Sequence, residues 1–125
     1  MSEKRHEAVD IQWVGPSTNR IYAGVHWSER HKVKQVGRLA TRSAAHHWIK
    51  PFNSPVILRF TPFINISDKM YDTSNYSYSN KIIEDELVYT GIIQRDTASF
   101  VRSWIMMAPE RTSLQSYTRL EIIEA

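Results

Sequence analysis

The sequence predicts a single α/β (α+β) domain over residues 1–125, in which a small mixed β-sheet of about four strands is covered by two helices. A chain of 125 residues has the usual length of one domain. Its composition, 42% hydrophobic and 23% charged, supplies enough apolar material for a core. The predicted elements follow the order strand, helix, strand, helix, strand, strand, which is typical of a sheet packed against helices.

Four strands are predicted from short apolar runs. Val9, Ile11 and Trp13 alternate with polar residues, the period-two pattern of a half-buried strand, after a frayed segment at residues 1–7. The other three runs are rich in β-branched and aromatic residues and cover 55–62, 99–107 and 116–123. Because only a short turn near Pro109 joins the last two runs, we expect them to form an antiparallel hairpin.

A long first helix is predicted from Ser28, a suitable N-cap, to about Trp48, after a loop over residues 16–27. Its apolar face is expected to contain Val33, Val36, Leu39, Ala40, Ala44 and Trp48. An outer stripe of bases recurs every four residues at Arg30, Lys34, Arg38 and Arg42. Like charges at this spacing repel each other, so a polyanionic partner explains the stripe better than solvation alone.

Positive charge is concentrated in the first half of the chain. Residues 1–50 contain nine Lys and Arg against four Asp and Glu, whereas residues 51–125 contain seven against nine. Such a distribution is typical of a surface that faces phosphates. A solvated helix face is the alternative explanation.

A second helix of about ten residues is predicted to begin near Lys81 and to stop at Gly91. The polar residues 79–80 can supply its N-cap, and Ile83 and Leu87 are expected to face the core.

Acidic residues cluster around this helix and suggest a metal site. Asp72 precedes the helix, Asp85 lies on it four residues after Lys81, and Asp96 follows it. With Asn75 they would form the all-oxygen site that Mg²⁺ or Mn²⁺ prefers. Alternatively, acids near the start of a helix complement its macrodipole, which would explain Asp85 without a metal.

Several other classes are excluded or not indicated. The absence of cysteine excludes disulfides, thiolate metal sites and thiol nucleophiles. Neither glycine-rich nucleotide-binding motif is present, so no nucleotide cofactor is expected. Without a long apolar run or a signal-peptide pattern, we expect no membrane association and a cytoplasmic location.

Two segments together carry a family resemblance. Residues 16–32 read PSTNRIYAGVHWSERHK, similar to a P-S-x-N-x-x-Y loop followed by a basic helix. Residues 72–96 contain an acidic motif that begins at Asp72, then Lys81, a D-x-L helix and a closing Asp96. In this order they resemble the RusA family of Holliday junction resolvases, especially its phage and prophage members. The likeness spans about residues 9–123.

The resemblance implies a homodimer that binds branched DNA in the cytoplasm of a bacterial host and cuts four-way junctions with Mg²⁺ (or Mn²⁺). Asp96 matches the closing aspartate, Lys81 the lysine fifteen residues before it, and Gly91 the glycine between them. The implied catalytic residues are Asp72, Lys81 and Asp96. The implied metal site consists of Asp72, Asn75, Asp85 and Asp96.

The basic segment is expected to hold backbone phosphates without reading bases. The residues predicted to contact DNA are Asn19, Arg20, Arg30, Lys32, Lys34, Arg38 and Arg42.

The sequence departs from the family's D-x-D-N motif, whose lysine lies three residues further on. Ser74 stands where the second aspartate is expected, and counting back from Lys81 instead places Asn75 and Ser77 at the two acidic positions. Either Glu84 or Asp85 could replace the missing ligand. A non-catalytic DNA-binding protein on the same fold is therefore a second hypothesis, and a protein that binds a host partner is a third.

Overall fold

The structure, a computed structural model, describes residues 3–23 and 26–125. Within these residues the chain forms five strands, three α-helices and one 3-10 helix. In chain order the elements are β1 (His6–Ile11), α1 (Thr18–Tyr22), α2 (Trp27–Ala45), β2 (Val56–Asn65), the 3-10 helix (Thr73–Tyr76), α3 (Ser77–Tyr89), β3 (Val101–Met106), β4 (Glu110–Thr112) and β5 (Tyr117–Glu124). The predicted class, a small mixed sheet covered by helices, is confirmed.

The sheet has the strand order β1-β5-β2-β3, and β4 pairs with the far end of β2. β5 runs antiparallel to both β1 and β2, whereas β3 and β4 run parallel to β2. The predicted hairpin between the last two long strands is therefore wrong, because β2 lies between them. α3 provides the crossover that a parallel β2–β3 pair requires, and the expected turn contains β4.

One face of the sheet forms the core together with the helices. Val56, Leu58 and Phe60 alternate along β2 and are fully buried, and Ile83 and Leu87 of α3 pack against this face. The core side predicted for α3 is thus confirmed. The helix begins earlier than expected, at Ser77, without a side-chain cap, and Gly91 follows it with a φ of 79°, a conformation that favours glycine.

The apolar face predicted for α2 is correct for half of its residues, because Val33, Ala40 and Ala44 are partly buried and pack against the core. Val36, Leu39 and Trp48 are exposed, and the buried residues of this helix include Gly37. A Cβ atom on Gly37 would lie 2.6 Å from the Trp13 ring, so the helix approaches its neighbours through small residues and leaves larger side chains outside. α2 also starts earlier than predicted, because the side chain of the preceding histidine accepts a hydrogen bond from the Ser28 N–H.

The ends and loops differ from prediction in two further places. β1 starts at His6, inside the segment expected to be frayed; residues 1–2 lie outside the described part. The predicted loop over 16–27 contains α1, which Ser17 caps by accepting a hydrogen bond from the Arg20 N–H. Among the described residues, none of the helices has both the length and the apolar character that a membrane span needs.

Candidate functional site

Lys81 lies at the centre of three carboxylates on and just after α3. Its Nζ donates to Glu84 Oε1 at 2.9 Å and to Asp96 Oδ2 at 2.7 Å, and it lies 3.3 Å from Asp85 Oδ1. One oxygen of each carboxylate lies within 4.8 Å of the others. Helix spacing places Glu84 and Asp85 one turn from Lys81. The turn at Gly91 reverses the chain, so that Asp96 also reaches the Lys81 ammonium. We call these four residues the Lys81 cluster.

Lys81 and Asp96 hold each other in the ionised state. Burial lowers the pKa of Lys81, but its hydrogen bonds to Asp96 and Glu84 outweigh burial and raise the pKa well above its ordinary value. The same ammonium lowers the pKa of Asp96 by hydrogen bonding and by charge. Lys81 is therefore a permanent cation at neutral pH and not a proton acceptor.

Glu84 connects this cluster to the sheet. The residue is almost fully buried, at 3% exposure, and its Oε2 accepts a hydrogen bond from Trp104 Nε1 at 2.8 Å. Trp104 belongs to β3, so both oxygens of Glu84 are held, one by a strand and one by Lys81. Sequence reasoning missed the role of Trp104, because no local pattern indicates that its indole meets an acid twenty residues earlier.

The other two predicted metal ligands precede α3 and have surroundings of their own. Asp72 is exposed at the start of the 3-10 helix. It does not belong to the group that Glu84, Asp85 and Asp96 form among the described residues. Asn75 accepts a hydrogen bond from the Asn19 N–H through Oδ1 at 3.3 Å, and its backbone oxygen accepts one from Thr18. Of the predicted site residues, Asp85 and Asp96 are thus brought together with Lys81, and Asn75 instead anchors α1.

A cleft of about 420 Å³ opens beside the Lys81 cluster. Lys81 and Asp85 line it from α3, Tyr22 from α1 and Lys34 from α2. Asp85 and Asp96 have side-chain exposures of 43% and 42%, so solvent reaches both carboxylates.

The predicted basic stripe of α2 divides into two halves with different surroundings. Arg38 Nε and Arg42 Nη2 bind the two oxygens of Glu86, at 3.1 and 2.8 Å, and Glu86 is fully buried. Hydrogen bonding to Glu86 raises the pKa of Arg42 above its ordinary value. Arg38 and Arg42 keep side-chain exposures of 33% and 43%, as an outward stripe predicts, but both guanidinium groups also join α2 to α3.

The other half of the stripe faces a second, smaller pocket of about 280 Å³. Its lining, which we call the aromatic–basic pocket, consists of Tyr22, Trp27, Arg30, His31, Lys34 and Tyr78. Of the remaining residues predicted to contact DNA, Lys32 is exposed and Arg20 lies 4.0 Å from Glu29.

Comparison with known proteins does not assign the chain to a family. No protein-family model matches it, and no curated protein matches it.

Proposed function

We propose that the protein is a Mg²⁺-dependent, structure-selective endodeoxyribonuclease that resolves four-way DNA junctions as a homodimer in the bacterial cytoplasm. The observation that carries the proposal is the Lys81 cluster, a permanent cation among three carboxylates beside an open cleft. A dimer is part of the proposal because paired cuts across a junction require two sites related by symmetry.

The carboxylates of the cluster are chemically suited to Mg²⁺ or Mn²⁺. They offer only oxygen ligands, within 4.8 Å of one another, and hard cations prefer such ligands. Asp85 and Asp96 would hold the ion from the solvent side, and Glu84 from the buried side. When bound, the metal would activate water and stabilise negative charge on the phosphate.

The chain's own residues would orient and neutralise the substrate. Lys81 remains protonated, so it would act as a fixed positive charge next to the scissile phosphate and not as a general base. The Trp104 indole fixes the orientation of Glu84, and Glu84 in turn fixes Lys81. Trp104 is thus a positioning residue in this proposal.

A synthetic four-way junction tests the proposal directly. The wild-type protein should nick it with Mg²⁺ or Mn²⁺ and should bind without cutting in EDTA. Glu110→Gln is the matched control, because Glu110 is an exposed acid on β4 and its loss should leave nicking unchanged. The proposal fails if neither metal supports nicking by a protein that binds the junction.

One observation favours a second candidate, a DNA-binding protein without catalysis. Lys81 already lies between the three carboxylates, where an ion would be attracted, and cancels one of their negative charges. Such a protein would retain the junction with a salt-dependent affinity and would not cut it. A binder of a host protein, the third hypothesis, would show no salt-dependent affinity for DNA.

A further inference from the structure

The aromatic–basic pocket presents open aromatic surface next to the Lys81 cluster. Tyr22 and Trp27 are 67% and 66% exposed, although burial of such large side chains would stabilise the fold. Tyr22 packs edge to face on Tyr78, with centroids 5.9 Å apart, and Trp27 contacts His31 in a similar way at 6.3 Å. The contacts hold the exposed rings in place and leave surface free for a planar ligand.

The bases in the pocket have no acidic partner among residues 3–23 and 26–125. Neither Arg30 nor Lys34 forms an ion pair with a described carboxylate, in contrast to Arg38 and Arg42 on the same helix. Arg30 Nε is also buried without a hydrogen-bond acceptor in that part of the chain. A buried donor without an acceptor is costly, and a phosphate oxygen would satisfy it once the guanidinium turns Nε toward the pocket.

The size and position of the aromatic–basic pocket limit which ligands it can bind. At about 280 Å³ the pocket lies just below the usual range for small-molecule sites, which suits one nucleotide and not a helical segment. Tyr22, Lys34 and Tyr78 line both this pocket and the cleft of the Lys81 cluster, so the two cavities are adjacent. A strand that crosses the cleft can therefore place its next nucleotide in the pocket.

We infer that the aromatic–basic pocket binds one unstacked nucleotide of a DNA strand, with its base on Trp27 and its phosphate near Arg30 and Lys34. The choice of DNA as the ligand rests on the proposed function. Stacking on aromatic rings tolerates every base, so this contact recognises an unpaired nucleotide at a branch point and not a sequence.

The test measures binding in EDTA, where nicking cannot interfere. The probes are a short oligothymidylate and a four-way junction that carries 2-aminopurine at the branch point. Trp27→Ala should weaken binding of the oligothymidylate by roughly 5- to 150-fold, which corresponds to about 1–3 kcal/mol for one stacked base, and should abolish the quenching of 2-aminopurine. Trp27→Phe should restore much of both signals.

Trp48→Ala is the matched control, because Trp48 lies beyond the other end of α2 and is even more exposed. It should bind like the wild type. Lys34→Ala should lower the slope of log affinity against log salt by roughly 0.7 for each phosphate of a single strand that Lys34 neutralises, whereas Trp27→Ala should leave that slope unchanged.

The outcomes separate this inference from the proposed nuclease activity. Binding that depends on Trp27 but is not followed by nicking in Mg²⁺ supports the pocket and overturns the nuclease. Nicking by the wild type, combined with equal binding by Trp27→Ala and Trp48→Ala, overturns the pocket and leaves the nuclease standing. Preference for a phosphopeptide over both DNA probes overturns the inference as well.

Discussion

Asp96 reaches the Lys81 cluster from outside α3, so its carboxylate can be altered without a change in the helix. Asp96→Asn keeps the side-chain volume and removes one negative charge. It should abolish nicking and leave junction binding intact or tighter, because phosphate is repelled less. Titration of Mn²⁺ by calorimetry should show binding weaker by roughly tenfold or more, since even outer-shell changes cost about 10–100-fold.

Asp72→Asn is the control for Asp96→Asn. The sequence predicts Asp72 as a metal ligand, whereas the structure does not group it with the Lys81 cluster. Asp72 lies outside the described carboxylate group, so its loss should leave Mn²⁺ affinity unchanged. If both variants weakened Mn²⁺ binding equally, Asp72 would be a ligand of the metal site. Equal binding by the wild type and Asp96→Asn would show that the Lys81 cluster is not a metal site.

At the residue scale, the site was predictable where its members are close in sequence. Lys81 and Asp85 are four apart on one helix, and Gly91 indicated the turn that brings Asp96 back. Asp72 was expected to join them because it precedes the helix in sequence and resembles the start of the family's acidic motif. The 3-10 helix occupies the stretch between Asp72 and α3 and holds Asp72 at its far end, a structure that no simple periodicity indicates.

At the scale of elements, Glu86 is the main electrostatic link between α2 and α3. Replacing Arg38 and Arg42 together by alanine would leave a fully buried carboxylate without its partners, which strongly destabilises a protein. We expect the melting temperature to fall by at least about 5 °C. Thermal unfolding followed by circular dichroism would measure the change.

The double variant Lys32→Ala/Lys34→Ala is the control for this prediction. It removes the same number of positive charges from the same helix, but Lys32 and Lys34 are exposed and form no ion pair with a described carboxylate. Its melting temperature should change little. Equal shifts in the two double variants would show that charge number, and not the bonds to Glu86, sets the stability.

The orientation of α2 could be predicted only in part, because a helical pattern of hydrophobicity takes no account of size. Val36 and Leu39 looked like core residues and are exposed, whereas Gly37 is buried. The Trp13 ring occupies the space that a side chain at Gly37 would need. Trp13 lies far from this helix in sequence, so the close contact that turns the helix is visible only in three dimensions.

At the scale of the whole molecule, the class of the fold was predictable and the strand order was not. Each long strand shows an apolar pattern of its own, which is a local property. Which strands pair depends on contacts distant in sequence, and the short connection near Pro109 favoured a hairpin. β5 instead crosses to the other side of β2, where Leu120 and Ile122 complete the core.

Three strands also meet on the other face of the sheet, where Glu121 of β5 gives stability that depends on pH. Arg59 of β2 donates from Nε to Glu121 Oε2 at 2.6 Å, and His6 Nε2 of β1 lies 2.9 Å from Oε1. The hydrogen bond from Arg59 lowers the pKa of Glu121 below its ordinary value. Because the pKa is lower in the folded state than in the unfolded state, this contribution is complete above the unfolded pKa and is lost as pH falls through the folded one.

Glu121→Gln should therefore be less stable than the wild type at neutral pH, and the difference should shrink as the solution is acidified below about pH 4.5. Denaturant unfolding at a series of pH values would measure both curves. Glu110→Gln, which removes an exposed acid on β4, should keep the pH dependence of the wild type. If Glu121→Gln and the wild type instead gave parallel curves down to the acid limit, the bond between Arg59 and Glu121 would contribute nothing to stability, and the three strands would be held by backbone pairing and the core alone.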